Sequence, residues 1–169
     1  NSNDKIKLQA KWLKKVLAEN DKKWTIVTYH HPIFSASTGR DNTELRQHWK
    51  PLFDQYQVDL ALQGHDHAYA RGAIYQNPDQ LERDGKSKIV KGPVYVVSVS
   101  GGKMYSLSKQ GWGEYGAKRE KAGQQIQLFQ HISIDGNLLK YKSFTPTGRL
   151  FDSFQILKDG GENKLNNHF

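Results

Sequence analysis

The sequence predicts an α/β fold in which a βαβ unit is followed by an antiparallel meander of strands. Two apolar, β-rich segments at 24–29 and 58–62 flank a helical pattern over 43–56. Strands connected in this way lie parallel, with a right-handed crossover between them. In the last third of the chain, apolar segments are separated by an Asp-Gly pair at 135–136 and a Pro-Thr-Gly turn at 146–148, which is typical of hairpins.

The first predicted element is an amphipathic helix from Lys5 to Glu19, because apolar residues recur near one face and lysines fill the other. Asp4 is expected to be its N-cap. The segment 24–29 follows as a buried strand. This strand must end before Pro32, because proline cannot continue a central strand.

The remaining elements are assigned by the same criteria. Pro51 lies inside the second helical pattern and is expected to split or kink it, since proline lacks an amide proton and crowds the preceding turn. Further strands are predicted at 94–99, 125–134, 138–144 and 150–157, with loops at 33–42, 76–92 and 103–123 and a frayed tail at 158–169.

The composition excludes several classes of protein. The 169 residues contain no cysteine, which rules out a disulfide scaffold, a cysteine zinc site and thiol catalysis. No apolar run approaches the roughly 20 residues that a membrane-spanning helix needs, so no membrane span is predicted. A formal net charge of +8 permits an anionic partner without identifying it.

Histidines follow both strands of the βαβ unit at the point where each strand ends. His30 and His31 come directly after the first strand, and His65 and His67 follow the second. Because the carboxyl ends of parallel strands lie at one edge of a sheet, His30, His65 and His67 are expected to meet there. Neutral imidazole is a common ligand of zinc, iron and similar metals, so this edge is predicted to bind metal.

A single histidine at such a position is usually structural or simply exposed. Here four of the seven histidines lie at two adjacent strand ends, which makes that ordinary explanation less favourable. The other three, His48, His131 and His168, are assigned to a helix surface, a strand and the tail, with no role in the site.

Two motifs carry a resemblance to a known family. The segment 29–35, Tyr-His-His-Pro-Ile-Phe-Ser, resembles the Gly-His-x-Pro loop of calcineurin-like metallophosphoesterases. The segment 62–71, Leu-Gln-Gly-His-Asp-His-Ala-Tyr-Ala-Arg, resembles their Gly-His-x-His motif, and its Tyr and Arg are typical of the purple acid phosphatase branch. The strand at 94–98 and the closing hairpins also resemble that branch, so the resemblance covers nearly the whole chain.

The resemblance implies hydrolysis of a phosphate ester at two divalent or trivalent metal ions (zinc, manganese or iron) in a secreted or periplasmic protein. His30 and His65 would bind one ion and His67 the other. Two ions about 3.5 Å apart can hold a phosphate and activate a hydroxide for in-line attack. The residues considered for substrate contact or for support of the ligands are His31, Arg40, Asp66, Tyr69 and Arg71.

Each of these further residues leaves alternatives open. Arg40 either grips a phosphate oxygen or is a solvated loop residue. Tyr69 and Arg71 either line the pocket or pack in the interior. Asp66 is expected to orient a neighbour rather than to bind metal, and His31 to support the ligands or face the substrate.

The chain departs from the family by lacking its Asp-x-His, Gly-Asp and Gly-Asn-His-Glu motifs, which supply most of the carboxylates. The loop at 35–42 also lacks the histidine that usually acts as proton donor. Residues 1–157 are therefore expected to form the C-terminal half of a four-layer αββα sandwich, inactive without the N-terminal half as its partner. Ile26, Leu62 and Val96 lie on strands that are apolar on both faces, and they are expected to meet that half.

Two other functions stay open on the sequence alone. A net charge of +8 would suit nucleic-acid binding, but the lysines are scattered and no aromatic residues interleave with a basic motif. Nucleic acid is therefore not the favoured partner. The other alternative is a non-catalytic module that keeps its histidines for binding alone.

Overall fold

The computed structural model describes residues 2–167, which form a mixed α/β fold with a curled sheet. Its helices are α1 (Ser2–Ala18), α2 (Thr43–His48) and α3 (Lys50–Gln55), with a short 3₁₀ turn at Gly113–Tyr115. Its strands are β1 (Ile26–Tyr29), β2 (Leu60–Gln63), β3 (Tyr69–Tyr75), β4 (Ser87–Val97), β5 (Lys118–Gly123), β6 (Phe129–Asp135), β7 (Leu138–Phe144), β8 (Leu150–Asp159) and β9 (Glu162–Asn166). Within the described residues, no helix is long and apolar enough to cross a membrane.

The long strand β4 joins a parallel unit to an antiparallel one. Its residues 94–97 pair in parallel with β2, and β2 pairs in turn with β1. Its residues 87–90 pair antiparallel with β9, which begins the meander β9-β8-β7-β6. On the other side β4 pairs with β3, and β3 with β5.

Gly92 lies between the two halves of β4 and has a φ of 70°. Glycine adopts this left-handed conformation without a steric penalty. A Cβ atom at this position would lie 2.3 Å from Oδ1 of Asp54 in α3. Gly92 therefore lets β4 pass from one partner strand to the other while α3 packs closely against it.

The predicted βαβ unit is confirmed. β1 and β2 are parallel neighbours, paired from Ile26↔Leu60 to Tyr29↔Gln63, and the helices α2 and α3 lie in the segment that connects them. Pro51 splits the helical segment as predicted, because it lies at the start of α3. The amides of the first helical turn have no hydrogen-bond partner within the helix, so a proline at this position costs no helical hydrogen bond.

Two hydrophobic clusters cover opposite faces of β2 and β4. Ala61 belongs to the cluster that packs the helices against the sheet, together with Phe53 of α3. Its neighbour Leu60 belongs to the cluster that packs the meander against the sheet, together with Phe154 of β8. These two strands are therefore buried on both faces, as their uninterrupted apolar sequences predict.

The predicted frayed tail at 158–169 is wrong for residues 158–166, which lie in two strands and the turn between them. β8 continues to Asp159, and β9 pairs with β8 on one side and with β4 on the other. Backbone pairing on both edges holds a polar segment whose own strand propensity is weak. At the opposite end of the chain, Asp4 is not an N-cap but lies in the first turn of α1, where its charge favours the helix dipole.

Besides β9, two strands have no counterpart in the sequence prediction. β3 directly follows the second histidine segment, and β5 lies in a segment predicted as loop. β4 also begins earlier than predicted, at Ser87. Gly72 lets β3 and β5 approach each other, because a Cβ atom there would lie 2.1 Å from the carbonyl oxygen of Lys118.

Of the three residues expected to meet a missing half of the domain, not all are exposed. Ile26 is 38% exposed and Leu62 is half-buried, but Val96 is 1% exposed because it faces the meander. β1 is not the buried strand that was predicted. Among the described strands it is an edge of the sheet, with β2 as its one partner.

Candidate metal centre

The carboxyl ends of β1 and β2 bring two histidines into contact. His30 follows Tyr29, the last residue of β1, and His65 lies two residues beyond Gln63, the last residue of β2. Because Tyr29 and Gln63 are paired across the parallel strands, Nδ1 of His65 lies 3.0 Å from Nε2 of His30. The predicted juxtaposition of these two histidines is confirmed.

A tight turn after β2 presents His65. The amide of Gly64 donates to the carbonyl oxygen of His30 at 3.0 Å, and the amide of Asp66 donates to the carbonyl oxygen of Gly64 at 2.8 Å. The left-handed conformation falls on His65 itself, with a φ of 67°. This conformation costs free energy for a residue with a side chain and often marks a functional position.

His31 lies with this pair instead of pointing away from it. Its ring centroid is 4.2 Å from that of His65 and 4.9 Å from that of His30. The three histidines each offer a nitrogen, and these atoms all lie within 4.8 Å of one another. His30 and His31 are exposed and His65 is half-buried, so a cation can reach the group from solvent.

His67 lies outside this three-histidine group and is held separately. Its Nδ1 is 2.8 Å from the carbonyl oxygen of Lys103, so Nδ1 carries the proton and donates. Its ring stacks on Tyr105 with a centroid distance of 4.6 Å. In a neutral ring this leaves the lone pair on Nε2, and a histidine oriented in this way is a common metal ligand in proteins.

Asp66, between the two histidines of the loop, is buried and turned away from both. Its Oδ2 accepts hydrogen bonds from the amides of Ala36 at 2.5 Å and Ser37 at 3.1 Å. Its Oδ1 lies 3.7 Å from Nε of Arg40. Asp66 therefore fastens the loop at 35–40 to the histidine loop, and it is not placed as a metal ligand.

Two cations lie beside Tyr105, the residue whose ring stacks on His67. The guanidinium of Arg40 lies 4.9 Å from the ring centroid of Tyr105, and Nζ of Lys103 lies 5.4 Å from the same centroid. Lys103 lowers the pKa of the Tyr105 phenol. Desolvation, followed by the charge of Arg40, lowers the pKa of His65. The neutral, metal-binding form of His65 is therefore favoured.

Gln63 supports the turn that carries His30 and His31. Its Oε1 accepts hydrogen bonds from the hydroxyl of Tyr29 at 2.8 Å and from the amide of Ile33 at 2.7 Å. These two donors lie on either side of the histidine pair in sequence. A buried side chain of β2 thus holds the end of β1 and the residue after Pro32 in place.

Tyr69 and Arg71 pack in the interior, which settles the alternative left open by the sequence. Tyr69 is 0% exposed and Arg71 is 3% exposed. Arg71 makes a two-pronged ion pair with Asp152 of β8, with distances of 2.7 Å and 2.9 Å, and the hydroxyl of Tyr69 donates to the same carboxylate at 2.6 Å. They tie β3 to the meander and do not line the site.

The remaining histidines are placed apart from the centre. His48 lies at the end of α2, 3.6 Å from Glu44, and His131 is exposed on β6. His168 lies outside the described residues. Sequence reasoning missed Lys103 and Tyr105, although their position soon after the carboxyl end of the third parallel strand was a usable signal.

The donor set fits a metal ion that accepts nitrogen ligands. In the described part of the chain, the group of His, Asp and Glu side chains close enough to share an ion consists of His30, His31 and His65. Neutral imidazoles suit zinc, iron and similar ions. No carboxylate of the described residues belongs to this group, so these residues neutralise a close pair of dications poorly.

The matches to known proteins agree with this geometry. The family model for calcineurin-like phosphoesterases matches residues 1–69, a segment that contains all four histidines of the site. Purple acid phosphatase 4 of Arabidopsis thaliana is 39% identical over 77 residues, which cover 45% of this chain and 23% of the relative. This chain is similar to the calcineurin-like phosphoesterases over residues 1–69 and to purple acid phosphatases over the aligned segment.

The purple acid phosphatase-like fold extends beyond the matched segment. The structure of purple acid phosphatase PPD1 from yellow lupin seeds superimposes with a TM-score of 0.69 at 22% identity, covering 90% of this chain and 28% of that chain. An uncharacterised protein of Mycobacterium tuberculosis is 34% identical over 109 residues, 56% of this chain and 21% of the relative. The chain thus spans 21% to 23% of the length of these curated relatives.

Proposed function

We propose that this chain supplies the histidine ligands of a two-metal centre that hydrolyses phosphoric esters. The observation that carries the proposal is the 3.0 Å contact between Nδ1 of His65 and Nε2 of His30, with His67 on the same loop. The calcineurin-like segment and the purple acid phosphatase relatives support the same class of reaction.

In this proposal, His30 and His65 hold one ion, and His67 holds the other through Nε2. The ions are zinc, manganese or iron. When bound, they supply a hydroxide nucleophile and positive charge that stabilises the transferred phosphoryl group. The histidines contribute ring nitrogens, which are common metal ligands, at one edge of the sheet.

Arg40 is proposed to bind a phosphate oxygen of the substrate. Its charge acts on His65, its Nε lies 3.7 Å from buried Asp66, and its guanidinium lies over Tyr105. A guanidinium held on two sides in this way is pre-organised for an anion, and charge-assisted hydrogen bonds to phosphate are strong. Lys103 adds a second cation on the same side.

The proposal includes a further segment of the same domain that completes a four-layer sandwich and supplies carboxylates. β1 is an edge strand of the described sheet. Beside it lies a largely apolar groove of about 480 Å³ between α1 and β1, where Trp12 is 64% exposed and Ile26 is 38% exposed. A strand packed on this edge would cover both. Without that segment, we expect the chain to hydrolyse phosphate esters negligibly.

The second candidate function is a non-catalytic metal-binding module. It is considered because, among the described residues, the side chains close enough to share an ion are three histidines without a carboxylate. An extracytoplasmic location belongs to the first candidate only, as an expectation from the family resemblance.

The test is an assay of aryl phosphate hydrolysis with zinc, manganese or iron, with metal content measured in parallel. The 169-residue chain is compared with the longer polypeptide that carries the proposed additional segment. We expect negligible turnover by the chain and metal-dependent turnover, with two ions bound, by the longer polypeptide. A longer polypeptide that binds metal without turnover would support the non-catalytic module and contradict the proposed hydrolase.

A further inference from the structure

The family resemblance places His31 beside a ligand, yet its imidazole lies as close to His65 as that of His30 does. The centroid distances to His65 are 4.2 Å for His31 and 5.0 Å for His30. The ligand atoms of all three histidines lie within 4.8 Å of one another. Geometry therefore does not separate His31 from the two proposed ligands.

The distances between the histidine nitrogens are close to those found when imidazoles bind the same metal ion. Zinc binds imidazole nitrogen at about 2.0–2.1 Å in a tetrahedral arrangement, so two nitrogens on one ion lie roughly 3.4 Å apart. The His30 and His65 nitrogens are 3.0 Å apart, and the third lies within the 4.8 Å limit of the group. The side chain of His31 is exposed, so its ring is free to turn toward the other two nitrogens.

The backbone on both sides of His31 is held in place. The carbonyl oxygen of His30 accepts from the amide of Gly64 at 3.0 Å, and the carbonyl oxygen of Pro32 accepts from Nδ2 of Asn42 at 2.8 Å. The amide of Ile33 donates to buried Gln63 at 2.7 Å. The position of His31 is therefore built by the fold and does not depend on a flexible loop.

We infer that His31 is a third imidazole ligand of the ion that His30 and His65 hold. The inference rests on the proposed metal at those two residues. Three imidazoles on one ion are a donor set that catalytic zinc sites use. A cleft of about 640 Å³ is lined by both His30 and His31, so water or an anion can approach these two residues from solvent.

The test is zinc binding to the 169-residue chain, measured by calorimetry with a competing chelator, so that no turnover is needed. His30→Ala, His31→Ala and His65→Ala are compared with wild type and with the control His131→Ala, whose side chain is exposed on β6. Circular dichroism confirms that each variant is folded. We expect each of the first three variants to weaken zinc binding at least about tenfold, the loss typical of disturbing a ligand set, with the control unchanged.

The possible results distinguish the role of His31 from the proposed metal site at His30 and His65. If His31→Ala binds zinc like wild type while His30→Ala and His65→Ala bind weakly, His31 is not a ligand and the two-histidine site stands. If wild type does not bind zinc, or if no variant weakens binding, both the inference and the proposed metal at His30 and His65 are overturned.

Discussion

Oδ1 of Asp66 lies 3.7 Å from Nε of Arg40, across two loops that are far apart in sequence. Asp66 comes between His65 and His67, so this ion pair links the histidine loop to the loop that follows β1. The carboxylate is fully buried and the arginine side chain is 26% exposed. The cation is therefore anchored at one end and open to an anionic ligand at the other.

Replacement of Arg40 by Ala is expected to weaken phosphate binding to the zinc-loaded chain by about tenfold or more, because a hydrogen bond to a charged group contributes roughly 1.5–3 kcal/mol. Arg40→Lys should lose less phosphate affinity, since lysine keeps the positive charge although it lacks the planar set of guanidinium donors. Inorganic phosphate titrated by calorimetry measures this. Arg149→Ala, at an exposed position in the turn before β8, is the control. Equal phosphate affinities for Arg40→Ala and Arg149→Ala would contradict the assignment.

Replacement of Gln63 by Ala is expected to lower the free energy of unfolding by about 1–3 kcal/mol, because it leaves the Tyr29 hydroxyl and the Ile33 amide without their acceptor. Zinc affinity should fall as well, since the turn that carries His30 loosens. Denaturant unfolding and zinc titration provide the two measurements. Gln47→Ala, on the exposed side of α2, should change neither. Unchanged zinc affinity in a destabilised Gln63→Ala would show that the turn is held by other contacts.

Removal of one partner of the Arg71–Asp152 pair is expected to destabilise the fold by about 3–5 kcal/mol, because a buried charge is left uncompensated. The double variant Arg71→Met with Asp152→Leu should recover much of this loss. Denaturant unfolding of the two single variants and of the double variant measures both the loss and the recovery of stability. A folded, stable Arg71→Ala that loses zinc or phosphate binding would instead place Arg71 in the site.

The predictable part of the fold is the part in which local pattern and tertiary structure agree. β1, the split helix at Pro51 and β2 follow from apolar periodicity and proline chemistry, and their parallel pairing places His30 beside His65. β5, with the sequence Lys-Arg-Glu-Lys-Ala-Gly, has no such pattern. It is a strand because β3 pairs with it, and the sequence of β5 itself does not indicate this pairing.

The same limit applies to the site. His30 and His65 were predictable because each follows a strand of one parallel pair. The approach of His31 to His65 depends on ring orientations, which spacing does not specify. Tyr105 lies in a segment without periodicity, and its contact with His67 arises from where the loop after β4 folds back. Tyr69 and Arg71 belong to a motif next to the ligands, yet they lie on a strand buried under the meander.

The measurement that tests the central claim most directly is the turnover of an aryl phosphate by the longer polypeptide with metal in excess. His65→Ala, His67→Ala and His131→Ala are compared in the same assay, after each is shown to be folded. We expect the first two to reduce turnover by orders of magnitude, because each removes a proposed metal ligand, and His131→Ala to retain it. Near-wild-type turnover in His65→Ala and His67→Ala, or equal loss in a folded His131→Ala, would contradict the assignment of the histidine edge as the catalytic metal centre.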